Sequence, residues 1–139
     1  MKTVKFCLML LCCILFISCN IKKEIVLIPS NINLLEEFKS SPESAKMFYK
    51  NKVLVLSGKI DFISWPKDGK KLNHTSVIIG MNNFDRKTLD GDCIGIELDE
   101  RRMDLKIGDE IKLQAYFTDY REDKYGCYIS LEHGTILND

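Results

Sequence analysis

Cysteine has the widest reactive chemistry of any residue type in this sequence, because a thiol can form a disulfide, bind a metal or become acylated. The 139-residue chain has six cysteines. Four lie in an apolar N-terminal stretch and two lie far apart in the remainder: Cys7, Cys12, Cys13, Cys19, Cys93 and Cys127. This distribution excludes a disulfide-stapled miniprotein and leaves Cys93 and Cys127 as the one pair within the folded part.

The other reactive residues form no recognisable catalytic or metal-binding pattern. His74 and His133 are the only histidines, and neither belongs to a pair with metal-ligand spacing. His133 is in phase with the inward-facing residues of the last predicted strand, where we expect a hydrogen-bonded core histidine. No nucleophile elbow, zinc-protease helix motif or phosphate-binding glycine loop is present. We therefore expect a protein that is not an enzyme and needs no metal or cofactor.

The first 18 residues have the features of an export signal. Lys2 and Lys5 precede an uncharged apolar stretch at residues 6–17, which is shorter than the ~20 residues of a membrane-spanning helix. Removal of residues 1–18 takes away two lysines and no acid, which leaves 18 basic and 20 acidic residues, a net charge of −2. This slightly acidic balance does not support general nucleic-acid binding, which relies on clustered cations.

Residues 15–19, Leu-Phe-Ile-Ser-Cys, resemble the lipobox of bacterial lipoproteins, with Phe16 in a place usually held by leucine. The resemblance implies a signal peptide at 1–18, a lipidated Cys19 and a tether at 19–33. It also implies a location in the cell envelope, anchored to a membrane outside the cytoplasm. Several acyl chains together anchor firmly, since each buried CH₂ contributes about 0.8 kcal/mol. The alternatives are an ordinary cleaved signal or a membrane anchor with an incidental cysteine.

The apolar periodicity predicts two short helices followed by five strands. Leu34, Leu35 and Phe38 mark one face of the first helix. Ser41-Pro42-Glu43 begins the second, which continues to about Lys50 with an apolar side of Ala45, Phe48 and Tyr49. The predicted strands cover about 53–63, 75–81, 93–98, 110–118 and 127–137, with a bulge or bend at Gly58 and a helical turn within 99–106.

Two strands show which residues face the core. We expect Leu54, Leu56, Ile60 and Phe62 on one face of the first strand, and Ile111, Leu113, Ala115 and Phe117 inward on the fourth. Five strands after a helical lead-in predict a mainly β fold that closes into a small barrel, because closure removes exposed strand edges.

Residues 34–64 (LLEEFKSSPESAKMFYKNKVLVLSGKIDFIS) and 105–120 (LKIGDEIKLQAYFTDY) resemble the tRNA-anticodon-like OB-fold family of bacterial envelope proteins. The likeness implies one domain, 34–139, with a five-stranded OB-type β-barrel preceded by two helices. It does not imply tRNA binding, because function depends on a site and not on a fold. The matching positions are Ala45, Tyr49, Lys52, Val53, Val55, Gly58, Ile60, Leu105, Gly108 and Asp109.

In OB folds the ligand lies on strands 2 and 3, between the strand 1–2 and strand 4–5 loops. These loops would supply aromatic and cationic side chains that could stack on bases or sugars. Asp68, Asp119, Glu122 and Asp123 lie in the same loops and would repel a polyanion, so purely solvated loops are the alternative. The candidate ligand-binding residues are Trp65, Lys67, Lys70, Lys71, Tyr120 and Tyr125.

A disulfide between Cys93 and Cys127 is favoured by an oxidising compartment and by OB topology, which places strands 3 and 5 side by side. The alternation of side chains along each strand opposes it. Cys127 lies on the same face as Ile129 and Leu131, whereas Cys93 lies on the face opposite to that of Ile94. The alternative is two separate half-buried thiols.

Together these features predict a membrane-anchored envelope lipoprotein. Its OB fold would act as a non-catalytic binding module for an envelope protein or a small ligand. The alternative function is an oligonucleotide or oligosaccharide binder that uses the two loops, with nucleic acid disfavoured by charge.

Overall fold

The computed structural model describes residues 23–65 and 74–138. Cys19, Lys67, Lys70 and Lys71 lie outside the described residues. Within them the fold is mainly β with two N-terminal helices, as predicted. In chain order the elements are β1 (Ile25–Leu27), α1 (Asn31–Ser40), α2 (Pro42–Tyr49), β2 (Val53–Lys59), β3 (Phe62–Ser64), β4 (Thr75–Gly80), β5 (Cys93–Leu98), β6 (Glu110–Asp123) and β7 (Gly126–Ile136).

Both helices begin at residues suited to a helix start. The Ser30 hydroxyl accepts a hydrogen bond from the Asn33 backbone N–H at the start of α1, and Pro42 opens α2, where its missing N–H has no cost. The predicted apolar side is buried in α1, and in α2 it is buried at Ala45 and Tyr49. Phe48 is 48% exposed, so its predicted burial was wrong.

The strands form one mixed sheet in the order β1-β2-β6-β7-β5-β4-β3, with parallel pairs at β1–β2 and β5–β7. The sheet therefore has seven strands, and the five-stranded closed barrel that we expected is not what the structure contains. One extra strand, β1, comes from the segment predicted as a tether, and α1 begins within that segment too.

The other extra strand arises because the first predicted strand is divided at Ile60 and Asp61. The Ile60 N–H donates to the Asp109 carbonyl on one side, whereas the Asp61 N–H donates to the Ile78 carbonyl on the other. The chain thus leaves the neighbourhood of β6 at this point and joins β4. Phe62, expected to face the core, turns outward as a result, and Ile63 packs against the core in its place.

Gly58 does not form the expected bulge, because it pairs in regular register with Ile111. A Cβ at Gly58 would lie 2.7 Å from Cγ2 of Ile79. The glycine therefore allows a close approach between β2 and the Ile79 side chain of β4. The bend occurs two residues later, at Ile60.

β6 continues to Asp123, well beyond its predicted end at Thr118, and the expected loop at 119–125 shortens to a turn at Lys124 and Tyr125. Two irregularities interrupt the register of β6 and β7. Near the first, His133 has a positive φ of 55° and its side chain is 68% exposed beside Asp99, so the predicted core histidine was wrong. Residues 99–106 contain turns and no helix.

Helix α1 packs against β6 through an aromatic cluster, and an ion pair joins it to Asp92, the residue before β5. The Phe38 ring is fully buried and lies 5.0 to 5.5 Å, centroid to centroid, from the rings of Tyr49, Phe117 and Tyr120. The neighbouring Lys39 ammonium lies 2.7 Å from Oδ2 of Asp92. We call this region the helix-covered side. The predicted inward residues Ile111, Leu113 and Ala115 of β6 are buried in the core as well.

Candidate functional site

The outer face of the sheet contains a shallow groove of about 220 Å³. Strand alternation explains its composition: in β4, β5 and β7 every second residue points into the core, and the intervening residues point outward. Phe62 of β3 completes the wall. We call this surface the groove. Its lining consists of Phe62, Ser76, Ile78, Gly95, Glu97, Tyr128, Ser130 and Glu132, together with parts of Val77, Ile96 and Leu131.

The position of Tyr128 depends on the absence of a side chain at Gly95. A Cβ at Gly95 would lie only 1.8 Å from the Tyr128 hydroxyl oxygen, so the phenol lies directly across the backbone of β5. Neither residue was singled out from the sequence. The available signal was an isolated glycine within an otherwise apolar strand, since such a glycine often marks a close approach.

The ionisation of the groove favours a neutral Tyr128. Burial raises the pKa of the Tyr128 phenol above its ordinary value, the Cys93 thiol raises it further, and the Arg121 guanidinium acts against both. That guanidinium lies 4.6 Å from the Tyr128 ring centroid. A protonated phenol can donate a hydrogen bond to a ligand, while its ring offers an apolar surface.

A second, smaller cavity of about 120 Å³ adjoins the groove at the β6–β7 turn, and Tyr128 lines both. We call it the end cavity. Its charged residues are one cation, Arg121, and two acids, Asp90 and Asp123. Tyr125 lines it as well, is 55% exposed, and has the Lys124 ammonium 4.7 Å from its ring centroid. The remaining lining residues are Leu89, Gly91, Cys93 and Gly126.

Trp65 and Tyr125 lie at opposite ends of β5. The Trp65 indole N–H donates to the Arg102 carbonyl at 3.2 Å, beyond the C-terminal end of the strand. The Tyr125 carbonyl accepts from the Gly91 N–H at 2.7 Å, beyond its N-terminal end. A six-residue strand spans about 17 Å, so these two aromatics flank the groove and do not form one cluster.

The loop position predicted for Tyr120 was wrong, because Tyr120 lies within β6. Its side chain is 6% exposed and its hydroxyl donates to Oε2 of Glu122 at 3.0 Å. Burial raises the pKa of this phenol. Tyr120 thus belongs to the aromatic cluster around Phe38 and lines neither the groove nor the end cavity.

Cys93 and Cys127 are both free and buried. β5 and β7 are neighbours, but the register sets Cys93 opposite Tyr128, so Cys127 lies one residue away and on the other face. Cys127 packs into the core, whereas Cys93 lines the end cavity. The structure therefore contains two separate thiols without a disulfide, each 2% exposed and hence more buried than the half-buried alternative that we expected.

Burial raises the pKa of the Cys93 thiol to about 11, so this sulfur is protonated at neutral pH and reacts slowly. Across residues 23–65 and 74–138 no three His, Cys, Asp or Glu side chains are grouped as a metal site would require. None of the helices in those ranges has the length and apolar character needed to cross a bilayer.

No family model, curated protein or solved structure matches this chain. The resemblances to lipoproteins and to the tRNA-anticodon-like OB-fold family therefore stay predictions.

Proposed function

We propose that this protein is a bacterial envelope lipoprotein, lipidated at Cys19, whose sheet groove is a non-catalytic binding site for a small polar ligand or a segment of an envelope protein. The observation that carries the proposal is the Tyr128 ring lying across Gly95. It gives the outer sheet face an aromatic surface in a groove that Phe62 and two carboxylates also line.

An OB-type strand order, rather than a closed five-stranded barrel, is part of this proposal. If β2 and β3 are taken as the two halves of one bent strand, the chain from residue 53 has five strands. The third and fifth of these, β5 and β7, are then parallel neighbours, as OB topology requires. The groove lies on β4 and β5, which would be strands 2 and 3, the usual ligand face of that fold.

The groove chemistry suits a ligand that carries hydroxyl or ammonium groups. Glu132 offers a carboxylate acceptor, and Ser76 and Ser130 offer hydroxyls, whereas a phosphate would meet the negative charge of Glu132. The groove volume of about 220 Å³ is below the roughly 300–1,000 Å³ of typical small-molecule pockets. It therefore accommodates one sugar ring or one side chain of a larger ligand.

Photo-crosslinking in intact cells tests the binding role. A photoreactive residue at Ser130, inside the groove, is compared with the same residue at Ser44, on the exposed surface of α2. We expect a recurring adduct from position 130 that is absent from position 44 and is lost when Tyr128→Ala is added. Equal labelling from both positions, or no recurring adduct at position 130, contradicts the proposal.

The lipid anchor has its own test. Intact-mass analysis of the protein purified from membranes should show a chain that begins at Cys19 and carries acyl groups, and Cys19→Ala should prevent both cleavage and lipidation. A mature chain without lipid at residue 19 contradicts this part of the proposal.

The second candidate function is an oligosaccharide or oligonucleotide binder that uses the end cavity. Two cation–aromatic pairs favour it, Lys124 on Tyr125 and Arg121 on Tyr128, since such surfaces stack sugars and bases. Asp90 and Asp123 line the same cavity and favour an uncharged saccharide over a nucleic acid. Trp65, Lys67, Lys70 and Lys71 are the further residues that the OB-fold resemblance assigns to this function.

Titration of the protein with neutral oligosaccharides and with oligonucleotides at low and high salt separates these ligands. Oligonucleotide binding should weaken steeply with salt, whereas saccharide binding should not, and Tyr125→Ala should weaken either one. Absence of binding of both ligands at low salt eliminates the second candidate.

A further inference from the structure

The C-terminal end of α2 presents large apolar side chains that no other described element covers. Met47 is 79% exposed and Phe48 is 48% exposed, although helical periodicity predicts that Phe48 is buried. Lys50 follows them and is exposed as well. We call Met47, Phe48, Lys50, Lys52 and Lys23 the α2 patch.

Contacts join the α2 patch to the first described residues of the chain. The Lys52 ammonium lies 3.5 Å from the Phe48 ring centroid and 3.2 Å from Oε1 of Glu24. The adjacent Lys23 ammonium lies 4.1 Å from the Tyr116 ring centroid. Apolar rings and flexible cations thus alternate from the helix end to the start of β1.

Positive charge is concentrated in this part of the chain. Residues 20–24 and 43–52 contain five lysines and two glutamates, although the chain from residue 19 onward has a net charge of −2. The two glutamates, Glu24 and Glu43, pair with Lys52 and Lys46. The surplus lysines near an apolar surface resemble those of interfacial membrane-binding segments, in which cations reach the headgroups and rings lie at the acyl boundary.

The proposed anchor point is close to the α2 patch along the chain. Lys23 follows Cys19 by four residues, and four residues span at most about 14 Å even when fully extended. If Cys19 is lipidated, as the proposed function requires, Lys23 cannot move farther than this from the membrane interface.

We propose that the α2 patch rests on the anionic surface of the membrane that holds the anchor, with Phe48 and Met47 at the interface and the exposed Lys23 and Lys50 on the lipid headgroups. This inference depends on the proposed lipidation of Cys19. None of the α2 patch residues is among the residues that line the groove. The contact therefore orients the module and leaves the groove accessible to its ligand.

The test uses the full lipidated protein in vesicles of phosphatidylcholine with or without phosphatidylglycerol. An environment-sensitive fluorophore is placed at Met47→Cys and, as a matched control, at Met103→Cys, which is also exposed (62%). Lipid-borne nitroxides report contact with the bilayer. We expect strong quenching at position 47 in anionic vesicles, weaker quenching in neutral vesicles, and little at position 103 in either.

A second arm tests the charge. Each lysine near an anionic surface contributes about 1 kcal/mol, so Lys50→Gln should shift the equilibrium between membrane-bound and free patch about fivefold towards the free form. Lys87→Gln, on an exposed loop away from the patch, should leave the quenching unchanged.

Vesicle flotation separates failure of this inference from failure of the proposed function. Protein that floats with vesicles but shows equal, weak quenching at positions 47 and 103 retains the anchor and overturns the membrane contact alone. Protein that does not float lacks the anchor, which overturns the proposed lipidation and with it this inference.

Discussion

The helix-covered side and the groove use the two faces of the same strand in different ways. In β7, Cys127, Ile129 and Leu131 point into the core, whereas Tyr128 and its alternate neighbours line the groove. On the helix-covered side, Phe38 is fully buried and the Tyr49 hydroxyl is hydrogen-bonded to Glu37 at 2.8 Å. In the groove, the half-buried Phe62 and Tyr128 and the more exposed Glu132 line an open depression. The comparison indicates that the first surface stabilises the fold, whereas the second leaves polar and aromatic side chains partly exposed.

The largest expected effect is at the centre of the helix-covered side. Phe38→Ala should lower the free energy of unfolding by about 3–5 kcal/mol, because it removes a buried ring and leaves a cavity among three other rings. Chemical denaturation measures the loss. Phe48→Ala is the matched control, since that ring is half exposed, and should cost about 1 kcal/mol or less. Equal losses in the two variants would contradict the distinction between buried and exposed rings.

The ion pair beneath α1 should have the next largest effect on stability. Asp92 accepts hydrogen bonds from the Lys39 ammonium and from the Cys127 backbone N–H, and its side chain is only 14% exposed. Asp92→Asn keeps the size but removes the charge, so we expect a loss of about 2 kcal/mol. A double-mutant cycle with Lys39→Met should show positive coupling. If the losses of the two single variants simply add up to the loss of the double variant, the ion pair does not hold α1 in place.

The same pair gives a pH dependence with a defined sign. Burial acts to raise the pKa of Asp92, but the hydrogen bonds from Lys39 and Cys127 and the charge of Lys39 outweigh it and lower that pKa below its ordinary value. The stabilisation is therefore fully present above about pH 4, the unfolded pKa, and is lost as the pH falls through the folded pKa. In unfolding titrations below pH 4, the free energy of unfolding should decrease less in Asp92→Asn than in the natural sequence. Identical decreases in the two proteins would mean that Asp92 is not the source of this pH dependence.

In the groove, Gly95→Ala should cost about 1–3 kcal/mol, because the new methyl group overlaps the Tyr128 hydroxyl and forces the ring to move. In a Tyr128→Ala background the cost should fall below about 0.5 kcal/mol. The single variant should also lose the crosslink from position 130. If the cost of Gly95→Ala is the same in both backgrounds, a contact other than Tyr128 limits the space above β5.

The smallest effect concerns the two thiols. Since burial raises the pKa of both, labelling of the folded protein by a thiol reagent at pH 8 should be at least about a hundredfold slower than in denaturant. Cys93 should react before Cys127, because it lines the end cavity whereas Cys127 faces the core. Mass analysis after partial labelling identifies the site, and recovery of a Cys93–Cys127 disulfide would contradict the free thiols.

Local patterns in the sequence predicted most of the secondary structure. The start of α2 at Pro42, the buried face of α1 and the bounds of β5 were predicted because they depend on near neighbours along the chain. The groove was not predicted, because Gly95 and Tyr128 are 33 positions apart and meet only through the pairing of β5 with β7. The sequence placed both Tyr120 and Tyr125 in one loop. Because β6 is longer than predicted, Tyr120 lies within the strand and is buried, whereas Tyr125 lies in the turn and is exposed.

The sequence by itself determined the two helices, the core of most strands and the alternation that assigns core and outer faces, since each rests on residues a few positions apart. Tertiary structure alone decided the seven-strand order, the division at Ile60 and Asp61, and the meeting of Tyr128 with Gly95. The physical reason is that register, bulges and helix docking depend on side chains distant in the chain, and a shift of one residue moves a side chain to the opposite face of the sheet.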